Sequence, residues 1–196
     1  SNPNGLPDDY ITQQKANYVS PLVNGADPGF PLRSKTDLVT KGWDVAYMPY
    51  CTGDVHVGNN VVTYSDPSGV NAPINFHHTG HNNSTSALDY LNTRLGSINR
   101  LMITGFSAGG VATAAVHHEA RQRLSFNKGF SLNDSGPLFP APDGSYNSRM
   151  LHDTIKVAWD LPTVLVNMPS GFDPFDMGSI TEAMATEQTR SRLWLL

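Results

Sequence analysis

The residues best suited to chemistry lie between Arg100 and Gly110, in the stretch RLMITGFSAGG. Its segment GFSAG, residues 105–109, matches the pattern G-x-S-x-G, in which a strand turns sharply into a helix and exposes a serine hydroxyl. A serine in such a turn can attack a carbonyl carbon. The backbone N–H of the next residue lies at the helix N-terminus, where it can stabilise an oxyanion. We therefore expect Ser107 to be a nucleophile and Ala108 to contribute to an oxyanion hole.

Two non-catalytic interpretations of this turn remain open. It could be a glycine-rich connection with a surface serine, or an anion-binding turn, although no Lys follows as in phosphate-binding loops. We call this serine-bearing turn, residues 105–109, the elbow, and its sharpness makes a steric prediction as well. Because the turn presses the strand against the helix, we expect that a side chain at Gly105 or Gly109 would clash.

A serine nucleophile needs a histidine to accept its proton and a carboxylate to orient that histidine. In the chain order serine, acid, histidine, the downstream histidines are His117, His118 and His152. His117 and His118 lie about 15 Å along the helix, so we interpret them as ordinary helix residues. His152, in the next predicted helix, is a weak candidate for the base. Asp134, after the next strand, is interpreted as a turn residue, and we expect the catalytic acid and base beyond Leu196.

A metal-dependent hydrolase is the alternative from a different class. The chain offers a carboxylate and several imidazoles close together in sequence, and these are common ligands of zinc. The candidate ligands are Asp54, His56, His77, His78 and His81. Their spacing matches no strict metal signature, and a polar loop before a helix explains the histidines equally well. We therefore predict neither a metal nor another cofactor.

The elements around the elbow predict an α/β fold with a mostly parallel sheet flanked by helices. A strand at residues 101–104, a helix from Ala108 to about Arg123 and a strand at 129–133 surround Ser107. An upstream strand and helix form a strand–helix–strand unit with the elbow strand, which implies a parallel pair. The other predicted elements are a helix at 10–18, strands at 43–50, 61–64, 161–168 and from 191 onward, and helices at 84–95, 148–159 and 179–188, with residues 76–83 forming a loop.

Composition sets the limits within which these motifs are interpreted. The chain has 196 residues with 39% hydrophobic and 15% charged residues, which argues for one globular domain rather than a disordered chain or a coiled coil. Its net charge of -4 gives no indication of a nucleic-acid partner. No apolar run approaches the length of a membrane span. Residues 1–40 are predicted to be mostly loop, and the single Cys51 is predicted to be a free, buried thiol or one whose partner lies outside the chain.

Several motifs together resemble the pectin acetylesterase family, which also contains the Notum carboxylesterases. The most specific is PYCTGDVHVGN at residues 49–59, followed by TGFSAGG at 104–110, where the family carries T-G-x-S-A-G-G. Asp134-Ser135-Gly136 and the pattern His78-x-Gly80-x-Asn82 add to the resemblance. These matches lie in the order in which the family carries them.

The resemblance implies an α/β-hydrolase fold and a serine esterase that removes acyl groups, often acetate, from a small-molecule or polysaccharide ester. Ser107 matches the family's nucleophile and Ala108 its oxyanion residue. The family's Gly-Gly-Gly strand has no match here, and its catalytic Asp and His follow later strands. We therefore expect a domain that is partial at both ends, with Asp134 in a structural position. A non-catalytic carbohydrate-binding relative stays open, the oligomeric state is not predicted, and secretion or a periplasmic location is expected from the family.

Overall fold

The computed structural model describes residues 8–14, 16, 42–141, 144–187 and 191–195, and contacts divide the chain into two compact units, 1–51 and 52–196. In the first unit, α1 (Tyr10–Gln14) is followed by the irregular segment 43–50. The predicted strand at 43–50 is wrong, since it forms no ladder with any described strand. Val45 is half-exposed, and Pro49 has no N–H to donate. Most of residues 1–40 lie outside the described residues, and the single-domain prediction stays a prediction.

The second unit is built around a parallel sheet of three strands in the order β3-β4-β5. They are β3 (Ile98–Phe106), β4 (Phe126–Asp134) and β5 (Ser191–Leu195). In the register of the first pair, Phe106 lies opposite Asp134 at the carboxyl ends of both strands. The predicted α/β class with a mostly parallel, helix-flanked sheet is confirmed. The predicted parallel pair between the elbow strand and an upstream strand is not observed among the described strands, since β3 pairs in parallel with β4, which follows it in sequence.

Helix α3 (Ala108–Arg123) connects β3 to β4 and is the most deeply buried helix of the described chain. Alanine and glycine dominate its first half, so its backbone can approach the sheet closely. Ala115 belongs to one apolar cluster, with Val57, Leu161, Ile180 and Met184. Ala120 belongs to another, with Leu88, Leu124 and Phe126. The elbow therefore begins a helix that is held by the core on two sides.

A hairpin precedes the elbow, formed by β1 (Asn60–Tyr64) and β2 (Ile74–His78), which pair antiparallel. The prediction of a strand at 61–64 is confirmed, but the predicted loop at 76–83 is wrong. Within it lie the end of β2 and the start of α2 (Gly80–Leu95), a helix that begins before the predicted Ser84. At the hairpin turn, hydrogen bonds from Ser68 and Asn71 lower the pKa of the exposed Asp66 carboxyl.

The segment between β4 and β5 contains short helices. They are α4 (Arg149–Ala158), α5 (Leu161–Val164), a 3-10 turn (Met177–Ser179) and α6 (Ile180–Glu187). The predicted strand at 161–168 is wrong, because residues Leu161–Val164 form α5. Pro162 lies in the first turn of this helix, where proline is tolerated. The described helices include none with the length and apolarity needed to cross a bilayer. Cys51 is a half-buried thiol.

Candidate active site

Ser107 occupies a strained backbone conformation at the junction of β3 and α3. Its φ is 53° and its ψ is -116°, values that non-glycine residues rarely adopt. The residue is exposed, and Val111 donates its N–H to the Ser107 carbonyl at 3.0 Å in the first turn of α3. Strain of this kind persists only where the surrounding structure holds it in place. The turn therefore presents the serine at the carboxyl edge of the sheet.

Three glycines allow the close packing that holds this turn. A Cβ on Gly105 would lie 2.3 Å from the carbonyl carbon and oxygen of Gly109. A Cβ on Gly110 would lie 2.5 Å from Asn133 Oδ1, and one on Gly136 would lie 2.5 Å from the Ser107 carbonyl oxygen. The steric prediction is therefore correct for Gly105. It is wrong for Gly109, whose Cβ position is open because it points away from the strand.

The glycine pair gives a prediction with its own matched control. We expect Gly105→Ala to lower the melting temperature strongly, because backbone atoms of Gly109 occupy the space that the methyl group needs. Gly109→Ala should leave the melting temperature unchanged or raise it, since Ala is favoured over Gly within a helix by about 1 kcal/mol. Thermal unfolding of the two variants side by side measures this. Equal melting temperatures would contradict the close packing of strand and helix.

The loop after β4 supports the elbow through its main chain. The Ser107 N–H donates to the Asp134 carbonyl at 2.9 Å. The Asn133 side chain closes the loop by donating to the Gly136 carbonyl at 2.7 Å and accepting from the Gly136 N–H at 3.0 Å. The Asp134 carboxylate accepts a hydrogen bond from the Ser135 hydroxyl at 2.8 Å. The contacts of Asp134 are therefore those of a residue that shapes the turn.

The downstream histidines lie in other environments. None of the seven histidines, all within the described ranges, is hydrogen-bonded to the Ser107 hydroxyl. His117 and His118 are buried in α3, and His118 Nε2 lies 2.6 Å from the Asn167 carbonyl oxygen. His152 Nδ1 lies 3.1 Å from the Tyr146 hydroxyl. Burial lowers the pKa of His152, while the charge of Asp153 opposes that shift.

The residues of the metal hypothesis are engaged in structural contacts. Asp54 is fully buried, and its carboxylate accepts hydrogen bonds from the N–H groups of His56 (3.1 Å), Gly58 (3.1 Å) and Gly80 (2.7 Å). The Thr52 hydroxyl donates to it as well. Because Gly80 is the first residue of α2, the carboxylate also faces the positive end of that helix. Asp54 thus joins its own loop to the start of α2.

One histidine of that hypothesis, His78, has both ring nitrogens in structural contacts. His78 Nδ1 lies 3.1 Å from the Thr52 carbonyl oxygen, and Nε2 lies 3.0 Å from the Tyr64 hydroxyl. Burial lowers the pKa of His56, opposed by Asp54, and burial also lowers the pKa of His81, opposed by Glu119. In the portion of the chain that the structure describes, no three His, Cys, Asp or Glu residues are grouped so as to hold a metal ion. His77, the last candidate ligand, belongs to no such group either. The geometry therefore does not support the metal alternative.

Sequence reasoning missed the anchoring role of residues 52–58. The loop contains consecutive non-glycine residues with positive φ, Val55 at 46° and His56 at 62°. A Cβ on Gly58 or Gly80 would lie 2.4 Å or 2.3 Å from a carboxylate oxygen of Asp54. The available signal was an acidic residue that directly follows a Thr-Gly pair, a composition that can indicate a hydrogen-bonded turn. Nothing in the sequence pattern showed that Gly80 would join that turn.

Comparison with known proteins gives one match. A family model described as Pectinacetylesterase matches residues 34–171, a range that includes the elbow and the 52–58 loop. No curated protein matches, and no solved structure does.

Proposed function

Because this chain belongs to the pectinacetylesterase family, we propose that it is a serine esterase that removes acetyl groups through an acyl-enzyme on Ser107. Membership of the family implies the hydrolysis of acetyl esters. What we propose beyond membership is the serine mechanism and the residues that carry it out. The observation that carries it is the strained backbone of Ser107, exposed at the start of a sixteen-residue helix. No cofactor takes part in this scheme.

The proposed reaction has two stages. In the first, Ser107 Oγ attacks the ester carbonyl carbon, a base accepts the hydroxyl proton, and the negative charge develops on the carbonyl oxygen. The N–H of Ala108, at the first position of α3, stabilises that oxyanion, since N–H groups in the first turn lack partners within the helix. The C–O bond to the alcohol then breaks while the base returns its proton to the leaving oxygen, which releases the alcohol and leaves acetyl-Ser107. In the second stage, water hydrolyses this ester and releases acetate.

The residues that activate Ser107 are not proposed among the downstream histidines. His118 and His152 have partners elsewhere, and His117 is buried on α3. Asp134 supports the turn through its carbonyl, so we propose that it acts in positioning Ser107 and not as the acid of the triad. Members of the family are generally secreted, and we propose the same for this protein.

Labelling with a fluorophosphonate tests the proposal directly, because this reagent phosphonylates activated serines. We expect mass mapping of the complete gene product to find the label on Ser107. Ser107→Ala should abolish labelling. The matched control is Ser135→Ala, at an exposed serine with a φ of 61°, and it should keep the label. A label that persists in folded Ser107→Ala would contradict the assignment of the nucleophile.

A further inference from the structure

The loop after β4 contacts the backbone of Ser107 at two points. At the first, the Ser107 N–H donates to the Asp134 carbonyl at 2.9 Å, which continues the parallel ladder of β3 and β4 one residue beyond Phe106. At the second, the backbone of Gly136 lies against the Ser107 carbonyl, since a Cβ on Gly136 would lie 2.5 Å from that carbonyl oxygen. One short loop therefore contacts the candidate nucleophile on both its amide and its carbonyl side.

The spacing of these two contacts depends on the side chain of Asn133. The chain turns directly after Asp134, where Ser135 has a φ of 61°. Asn133 spans this turn, because its Nδ2 donates to the Gly136 carbonyl at 2.7 Å and its Oδ1 accepts the Gly136 N–H at 3.0 Å. The backbone of Gly136 is thus tied through both of its polar groups to the end of β4, where the Asp134 carbonyl lies.

The Asn133 amide also lies close to the first turn of α3. A Cβ on Gly110 would lie 2.5 Å from Asn133 Oδ1, so the half-buried amide occupies space that the missing side chain of Gly110 leaves open. Its oxygen and its nitrogen both have partners within the loop. The amide therefore contacts β4, the loop and α3 at the place where the three meet beside Ser107.

We propose that Asn133 is a positioning residue for catalysis at Ser107, acting through the Asp134 carbonyl and the Gly136 backbone. The inference rests on the proposed function, in which Ser107 is the reacting group. The backbone of Ser107 is strained, and a strained conformation persists only while its surroundings hold it in place. The Asn133 amide keeps the two loop contacts at a fixed spacing, and these contacts in turn hold the strained conformation.

Relaxation of Ser107 displaces both groups that act on the ester carbonyl. The φ of 53° sets the direction in which the side chain, and with it Oγ, leaves the backbone. The ψ of -116° sets the orientation of the next peptide, and hence of the Ala108 N–H that stabilises the oxyanion in the proposed reaction. Because both groups act in the transition state, their displacement lowers the rate of the reaction. A displacement of about 1 Å is enough for a loss of about a hundredfold.

The test compares the rate at which Ser107 reacts in folded variants. The probe is the fluorophosphonate, and the measurement is its second-order rate constant with the complete gene product, well below the melting temperature of each variant. We expect Asn133→Ala to lower this rate constant about a hundredfold. Asn60→Ala is the matched control and should keep it. Asn60 is another half-buried amide with two hydrogen bonds, to the Ala158 carbonyl at 3.2 Å and from the Val61 N–H at 2.9 Å, but it lies in the hairpin.

Asn133→Asp separates positioning from a general loss of stability. A protonated carboxyl offers one O–H donor and one acceptor, as the amide does, whereas an ionised carboxylate has no donor for the Gly136 carbonyl. We expect the rate constant of Asn133→Asp, divided by that of the unsubstituted protein, to rise as the pH falls from about 7 to about 4, near the ordinary pKa of Asp. The same ratio for Asn60→Asp should not change with pH.

A rate constant of folded Asn133→Ala within about threefold of that of the unsubstituted protein, or an equal loss in Asn60→Ala, would overturn the inference. A ratio for Asn133→Asp that does not change with pH would overturn it as well, and this variant decides if Asn133→Ala does not fold. Either result, with Ser107 labelled in the unsubstituted protein, leaves the proposed function intact. An unlabelled Ser107 in the unsubstituted protein would contradict the proposed function itself, and with it the reacting group that Asn133 positions.

Discussion

Ser107→Ala is expected to lower kcat/KM for acetate release from acetylated pectin at least about a thousandfold, because the variant cannot form the acyl-enzyme. The substitution removes a single oxygen atom and leaves the strained backbone in place. Alanine at this φ carries the same strain as serine, so the turn should be retained. The measurement is acetate release by the complete gene product and its variant, at substrate concentrations far below KM.

Two observations distinguish a catalytic effect from a folding effect. The melting temperature of Ser107→Ala should equal that of the unsubstituted protein, since the exposed hydroxyl has no hydrogen-bond partner among the described residues. Ser135→Ala, at the neighbouring exposed serine, should keep its turnover. Acetate release by Ser107→Ala above the rate in buffer would remove Ser107 from the mechanism.

Asp54→Ala is expected to have the largest effect on stability, lowering the free energy of unfolding by about 3 kcal/mol or more. The side chain is fully buried, and its removal leaves the N–H groups of His56, Gly58 and Gly80 without their acceptor. Buried donors without a partner cost more than the net value of the hydrogen bonds they formed. The first turn of α2 should lose the hydrogen bond of Gly80 to the 52–58 loop, while that of the His81 N–H to the Gly58 carbonyl remains.

Asp66 offers a matched control for this variant. Its carboxylate also accepts several hydrogen bonds, from the N–H and hydroxyl of Ser68 and the N–H and side-chain amide of Asn71, but it is exposed. Water can replace these bonds, so Asp66→Ala should stay close to the melting temperature of the unsubstituted protein. Urea titration of both variants measures the difference. Equal destabilisation by the two substitutions would show that burial is not what makes Asp54 important.

The elbow unit could be predicted from sequence because its determinants are local. The apolar residues 101–104, the small residues 108–115 and the strand at 129–133 each indicate one element, and their order specifies the crossover between β3 and β4. The predicted start of the helix at Ala108 and its predicted end near Arg123 therefore agree with the structure. Packing details were less accessible, because the direction of a Cβ at Gly109 depends on how the helix lies against the strand.

The parts that could not be predicted depend on distant partners. The start of α2 is defined by a hydrogen bond between Gly80 and Asp54, which is 26 residues earlier. β2 pairs with β1 across a turn, although its sequence INFHH shows a weak strand pattern. Conversely, the apolar runs at 43–50 and 161–168 have the composition of strands but find no strand partner among the described residues. A local sequence pattern indicates strand propensity, whereas strand pairing depends on residues that are distant in the sequence.

The two crossovers of the parallel sheet differ in length, and this has a consequence for the order of folding. Residues 107–125 separate β3 from β4, whereas residues 135–190 separate β4 from β5. The longer connection is about three times as long, so its closure costs about 1 kcal/mol more in chain entropy. Contacts that close short loops form earlier on average. We therefore expect β3, α3 and β4 to assemble first, so that the turn bearing Ser107 exists in a folding nucleus to which β5 docks later.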